Sequence, residues 1–142
     1  YFLMSMSGTY LGIAQAAFSL AQQHLRDRRF AHSGSVLAHE PLLQHRLSEL
    51  WMAVTKTRAL IYQAARLCDA GDPQALPYLL ACKADVADMA VHVTNEALTL
   101  CGGIAYRENS RLAQLLRDAR AAHVMSPTTD MLKQWTGRAL LG

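Results

Sequence analysis

Apolar residues return at every third and fourth position over long stretches of this chain, which is the period of one buried helix face, and alternating strand patterns are absent. From about Ser7 to Arg29, Leu11, Ala14, Ala17 or Phe18, Ala21 and Leu25 form one stripe, with Gln22, Gln23, Arg26 and Asp27 largely outside it. Ala31-His32-Ser33-Gly34-Ser35 has the composition of a loop. A second helix begins near Glu40-Pro41, where a proline in the first turn costs little. Leu43, Leu47, Leu50, Val54, Thr57, Ile61, Ala64 and Cys68 then step by four and three without a slip, a heptad-like seam for a neighbour at a shallow crossing angle. Asp69-Ala70-Gly71-Asp72-Pro73 ends it. The third helix carries Leu79, Cys82, Val86, Ala90, Val93, Ala97 and Leu100, holds Pro77 in its first turns and stops at Gly102-Gly103. A shorter fourth helix covers about Ser110 to Val124, with Leu112, Leu115, Leu116 and Ala119 inward. Ser126-Pro127-Thr128-Thr129 starts a fifth, bearing Met131, Leu132, Trp135 and Leu140.

Two long helices joined by a tight turn exclude a compact α/β fold. The pattern predicts an all-α protein: an antiparallel four-helix up-down bundle with a shorter first helix and a short extra C-terminal helix, all within one domain, residues 1–142. Ala and Leu make up roughly a third of the residues and both favour helix.

Composition narrows the classes further. An apolar share of 51% excludes a disordered chain, and 142 residues suffice for a real core. Three cysteines without a CxxC pair exclude a disulfide scaffold and a zinc knuckle. Cys68, Cys82 and Cys101 read as small core residues of a reducing compartment, so the expected location is the cytoplasm. The net charge of +3 is modest, and no Lys/Arg run interleaves with aromatics, so nucleic acid is not an expected partner. No apolar stretch is long enough to span a membrane. Tyr1-Phe2-Leu3-Met4 lacks a basic start and is soon broken by Ser5, Ser7 and Gly8, unlike a signal peptide. With no initiator Met and a helix pattern already under way, the chain reads as cut from something longer.

Candidate chemistry is sparse. The six histidines include no HExxH and no pair one helical turn apart, so no metal site is expected. Asp85 and Asp88 share a helix face and read as solvated. Arg117-Asp118-Ala119-Arg120 reads as a structural ion-pair cluster. There is no GxSxG elbow, and Gly102-Gly103 lacks the surroundings of a GxGxxG phosphate loop.

The order of these features carries a resemblance. Leu11-Gly12-Ile13-Ala14-Gln15-Ala16-Ala17 opens a helix, and Arg28 closes it sixteen residues after Gly12. Gln44, Leu47 and Arg58-Ala59-Leu60-Ile61-Tyr62 follow, then Lys83 in mid-helix, Asn95-Glu96-Ala97 and Cys101-Gly102-Gly103. Leu115-Leu116-Arg117-Asp118-Ala119-Arg120 and Ser126-Pro127-Thr128-Thr129 complete the series. This succession resembles the C-terminal helical domain of the acyl-CoA dehydrogenase family over almost the whole chain, the last third of such a subunit.

The resemblance implies an FAD-dependent oxidoreductase acting on acyl-CoA thioesters, active as a longer flavoprotein subunit in a homo-dimer or tetramer. In that family a carboxylate removes the substrate α-proton while the β-hydride passes to the flavin, and a second subunit contacts the same flavin. By the same resemblance Arg28 reaches the FAD pyrophosphate of a neighbouring subunit. Gly102 and Gly103 let the backbone approach the cofactor. Thr99 replaces a frequent Gln before that pair, and Thr128 contacts the flavin nucleotide of its own subunit. The departures also matter. Phe30-Ala31 follows Arg28 one residue early, and Asp130 stands where Gln is usual.

The usual base is a Glu two residues before that Thr; here the position is Ser126, and a lone hydroxyl is not a competent base for an α-proton. The alternative position, near the start of the first helix, falls at about Phe2. Three readings follow: a dehydrogenase whose base lies elsewhere or in a partner subunit of a hetero-oligomer, a flavin monooxygenase-type member that needs no such base, and a non-catalytic helical oligomerisation module.

Overall fold

A computed structural model describes all 142 residues. Its elements are α1 (Phe2–Asp27), α2 (Pro41–Asp69), α3 (Ala75–Cys101), α4 (Arg111–Val124) and α5 (Thr129–Leu141), with short 3-10 turns at Leu37–His39 and Gly102–Ile104. The only β-type pairing is an isolated bridge between Arg29 and Val36. The fold is the all-helical bundle that the periodicity implied.

α3 is the shaft of the molecule. It packs against α1, α2, α4 and α5, whereas α2 touches neither α4 nor α5. Cross-links fix the directions. Ser7, early in α1, meets Cys82, early in α3, so those two helices run parallel. Tyr10 reaches Met125, just past the end of α4, so α4 runs against both. The main core lies between α1, α2, α3 and α4, from Met6, Tyr10 and Phe18 through Leu50, Val54 and Ile61 to Val86, Val93 and Leu115. α5 adds a small second cluster in which Leu132 packs with Leu80 and Ala84.

The α2 seam is buried at Leu50, Val54, Thr57, Ile61 and Ala64, in the expected four-three stepping. Its last turn stands clear: Cys68 is exposed, not a core thiol, while Cys82 and Cys101 are buried. The first helix is not short. It starts at Phe2, five residues before the expected start, and buries Met6 there; Tyr1 provides no side-chain cap, so nothing in the sequence punctuates that end. It stops at Asp27, and Arg28 is already extended, which begins the hairpin-like loop closed by the Arg29–Val36 bridge. In α3, Leu80 rather than Leu79 is buried, and Pro77 sits in the first turn. Leu116 is half-buried, and Met131 and Leu140 of α5 face solvent. No helix is long and apolar enough to cross a membrane.

Candidate functional site

The residues singled out in the sequence gather at the two ends of the bundle. Because α1 and α3 run parallel, their C-termini share one end, which brings together Arg28, Thr99, Gly102 and Gly103. Leu20 and His24 of α1, Cys101 at the end of α3, and Ile104 and Ala105 after it line a shallow cleft of about 190 Å³ there, and Arg28 stands one turn past His24. Burial, and then the charge of Arg28, push the His24 imidazole below its ordinary pKa, while Asp27 acts against them. The Arg28 backbone is tied down, its N–H donating to His24 and its carbonyl accepting from Leu37 at 2.9 Å, and its side chain is exposed without an ion-pair partner. The neighbouring Arg29 is used internally, donating to the Gly34 carbonyl at 2.9 Å. Of two adjacent guanidiniums, Arg28 is the one left to meet an anion.

The two glycines differ. Gly102 has φ 69° and ψ −158°, a region essentially reserved for glycine, and it turns α3 into the following 3-10 turn. Gly103 has an ordinary φ, and a Cβ there would meet nothing within 4 Å. No contact within the chain demands a glycine at 103, and the backbone is open to close approach from outside. Thr99 is exposed and its hydroxyl donates to the Asn95 carbonyl at 3.1 Å, leaving lone pairs turned outward.

Ser126 and Thr128 lie at the other end. They follow α4, whose C-terminus sits beside Lys83, nineteen residues before Gly102 on α3 and so about 28 Å away along the axis. Thr128 caps α5, its Oγ1 accepting from the Met131 N–H at 3.4 Å, so its own O–H is free to donate. Ser126 is exposed, and no acid stands within the Met125–Thr128 segment. Asp130 lies in the first turn of α5, where the helix dipole favours a carboxylate. Phe2 is the first residue of α1 and supplies no acid either.

Several polar residues carry more than the sequence suggested. Lys83 is fully buried, and its ammonium donates to the carbonyls of Ala122 (2.7 Å), Met125 (3.1 Å) and Pro127 (2.9 Å). The only available hint was a lysine inside the apolar run Cys82-Ala84-Val86-Ala87. The Tyr10 hydroxyl donates to Met125 Sδ at 2.9 Å, and burial, with Asp118 nearby, raises its pKa. Asp85 and Asp88 are not merely solvated. Asp85 accepts from Thr57 Oγ1 at 2.6 Å, and Asp88 bridges His123 at 2.9 Å and Lys133 at 2.7 Å, tying α3 to α4 and α5. Burial acts to raise the Asp88 pKa, but the bonds from Lys133 and His123 outweigh it and hold the carboxyl low. The expected ion-pair cluster at Arg117, Asp118 and Arg120 does not form; all three residues are exposed and the ion pairs lie elsewhere. No cluster of His, Cys, Asp and Glu could hold a metal.

Comparison with known proteins gives one answer. The family profile described as "Acyl-CoA dehydrogenase, C-terminal domain" matches residues 4–141. The chain is 34% identical over 131 residues to a cyclohex-1-ene-1-carbonyl-CoA dehydrogenase of Geobacter metallireducens, covering 92% of this chain and 34% of that protein. It is 28% identical over 144 residues to a short-chain-specific acyl-CoA dehydrogenase of Megasphaera elsdenii, covering 98% of this chain and 37% of that one. The solved butyryl-CoA dehydrogenase of Megasphaera elsdenii superposes with a TM-score of 0.91 at 28% identity, over 99% of this chain and 36% of that structure. The chain thus spans about a third of the length of the curated relatives it matches.

Proposed function

Because the chain belongs to the acyl-CoA dehydrogenase family, of which it is the C-terminal domain, we propose that it is the helical part of a longer FAD-dependent flavoprotein subunit acting on acyl-CoA thioesters. Its part is to contribute to the flavin site and to the interface between subunits. The observation that carries this reading is the placement of the candidate residues at opposite ends of one bundle. A cofactor bound at one end of a chain lies about 28 Å from the residues at the other end. Arg28, Thr99, Gly102 and Gly103 of one copy and Thr128 of another then serve the same flavin, which makes a homo-dimer or tetramer part of the function.

The residues present fit FAD. Bound there, the flavin supplies an acceptor for a hydride equivalent. Arg28 offers an unpaired guanidinium to the diphosphate, geometry to which its planar fork is suited. Gly103 offers open backbone, Thr99 acceptor lone pairs and Thr128 a free hydroxyl proton. The relatives are named as short-chain acyl-CoA and cyclohex-1-ene-1-carbonyl-CoA dehydrogenases, which supports an acyl-CoA as the substrate class; the three free thiols support a cytoplasmic location.

A second reading rests on Ser126. General-base help is worth about a hundred- to ten-thousand-fold, and Ser126 offers none. Chemistry without α-proton abstraction, of the flavin monooxygenase type, or a role as the base-lacking partner in a hetero-oligomer, meets that constraint. The test is anaerobic mixing of the full-length flavoprotein with butyryl-CoA. Slow flavin bleaching in the wild type and faster bleaching in Ser126→Glu support the site assignment. Rapid bleaching by the wild type places the base elsewhere. A full-length protein that takes up no FAD leaves the helical oligomerisation module as the function.

A further inference from the structure

Lys83 is a charged side chain with no exposure, on the helix that touches every other helix, and no carboxylate pairs with it. A buried ammonium is tolerated only when its protons are used, and here all three are. The acceptors belong to one short stretch. Ala122 and Met125 lie at the end of α4, where helix geometry leaves carbonyls without N–H partners, and Pro127 lies between Ser126 and Thr128. The negative end of the α4 dipole points at the same ammonium. The site therefore sits directly under the segment that carries Ser126 and the Thr128 cap.

We infer that Lys83 is a positioning residue for the α4–α5 connection: its ammonium holds the three carbonyls that set where Ser126 and Thr128 stand. Tyr10 assists from α1 through Met125 Sδ, a weaker acceptor. Without the ammonium the helices keep their apolar contacts, because the core clusters do not run through Lys83 Nζ. The connection loses three bonds and becomes free to move. The inference rests on the proposed flavin site only for what the positioned Thr128 would touch.

The test compares Lys83→Met, close in volume, with a core deletion remote from the connection, Val93→Ala. In the 142-residue chain, amide hydrogen exchange of peptides covering residues 125–131 is expected to speed up about tenfold or more in Lys83→Met, with the far-UV circular dichroism of the helices retained. Val93→Ala should leave the ratio of exchange in 125–131 to that in α3 unchanged. In the full-length flavoprotein, Lys83→Met and Thr128→Ala should alter the visible spectrum of bound FAD alike, and Val93→Ala should not. Unchanged exchange at 125–131 in a folded Lys83→Met overturns the inference. If Lys83→Met loses its helical signal, Lys83→Arg decides. A folded Arg variant with protection of 125–131 near that of the wild type supports a cationic donor there; release of the connection or loss of the fold overturns it. Failure of the full-length protein to bind FAD would sink the flavin site, while the exchange result still decides the role of Lys83.

Discussion

At the scale of the residue, the two adjacent glycines separate a requirement of the fold from an opportunity for a ligand. Gly102→Ala places a Cβ on a backbone that only glycine adopts readily, and should cost about 1–3 kcal/mol in urea denaturation. Gly103→Ala meets no neighbour and should stay within about 0.5 kcal/mol of the wild type. If Gly103 serves a cofactor, its substitution lowers FAD affinity in the full-length protein while stability holds. The pair was visible in the sequence as a helix stop; the difference between its members was not, because it is a matter of φ and of empty space. Lys83 was legible only as an oddity. Its partners are backbone carbonyls 39, 42 and 44 residues further on, and a backbone acceptor leaves no mark in a sequence. Asp88 was misread for a related reason: its partners His123 and Lys133 come from two helices whose rotation about α3 no periodicity fixes.

At the scale of the element, legibility follows punctuation. α4 and α5 were found where Ser110 and Thr128 announce them, and both side chains accept an N–H from the first turn. The two caps are unequal. Ser110 Oγ accepts from Ala113 at 3.0 Å and also donates to the Ala105 carbonyl, whereas the Thr128 bond is 3.4 Å long. Ser110→Ala should therefore lower the unfolding free energy by about 1–2 kcal/mol and Thr128→Ala by about 0.5 kcal/mol, as read from urea midpoints. A larger loss for Thr128→Ala would contradict this ranking. α1 has no cap, so its first five residues were missed although Met6 and Tyr10 continue its stripe. The α2 seam was the most readable element: each buried step from Leu50 to Ala64 fits one face, and only the free final turn at Cys68 departed from it.

At the scale of the whole molecule, ionisation brackets the stability. Burial raises the Cys101 thiol from 9.0 to about 11. Below pH 9 the thiol is neutral in both states and costs nothing. Between there and about 11 only the unfolded chain ionises, so stability should fall by about 1.4 kcal/mol per pH unit, roughly 2–3 kcal/mol in all. Cys101→Ala should remove that part of the alkaline slope in denaturation profiles, whatever its cost at neutral pH. Asp88 acts at the other end. Its carboxyl is held below the ordinary range, so its contribution is full above about pH 4 and is lost as the pH falls through the depressed folded value. Asp88→Asn should flatten the acid limb; the side chain is half exposed, so the effect is modest. Trp51, Met52 and Tyr62 leave apolar surface on the outer side of α2, and the chain should self-associate in light scattering as concentration rises. The central place of α3 also governs how the molecule comes into being. Of these helices a ribosome delivers α1 and α2 before α3; the surfaces that bury most of α1 and close the α2 seam belong to α3. Truncation after Asp72 should therefore yield a chain without a cooperative melting transition. During synthesis the apolar faces of α1 and α2, helices of 26 and 29 residues, must wait for their partner until the 27 residues of α3 emerge. Chaperone demand and the risk of aggregation would then be concentrated in that interval.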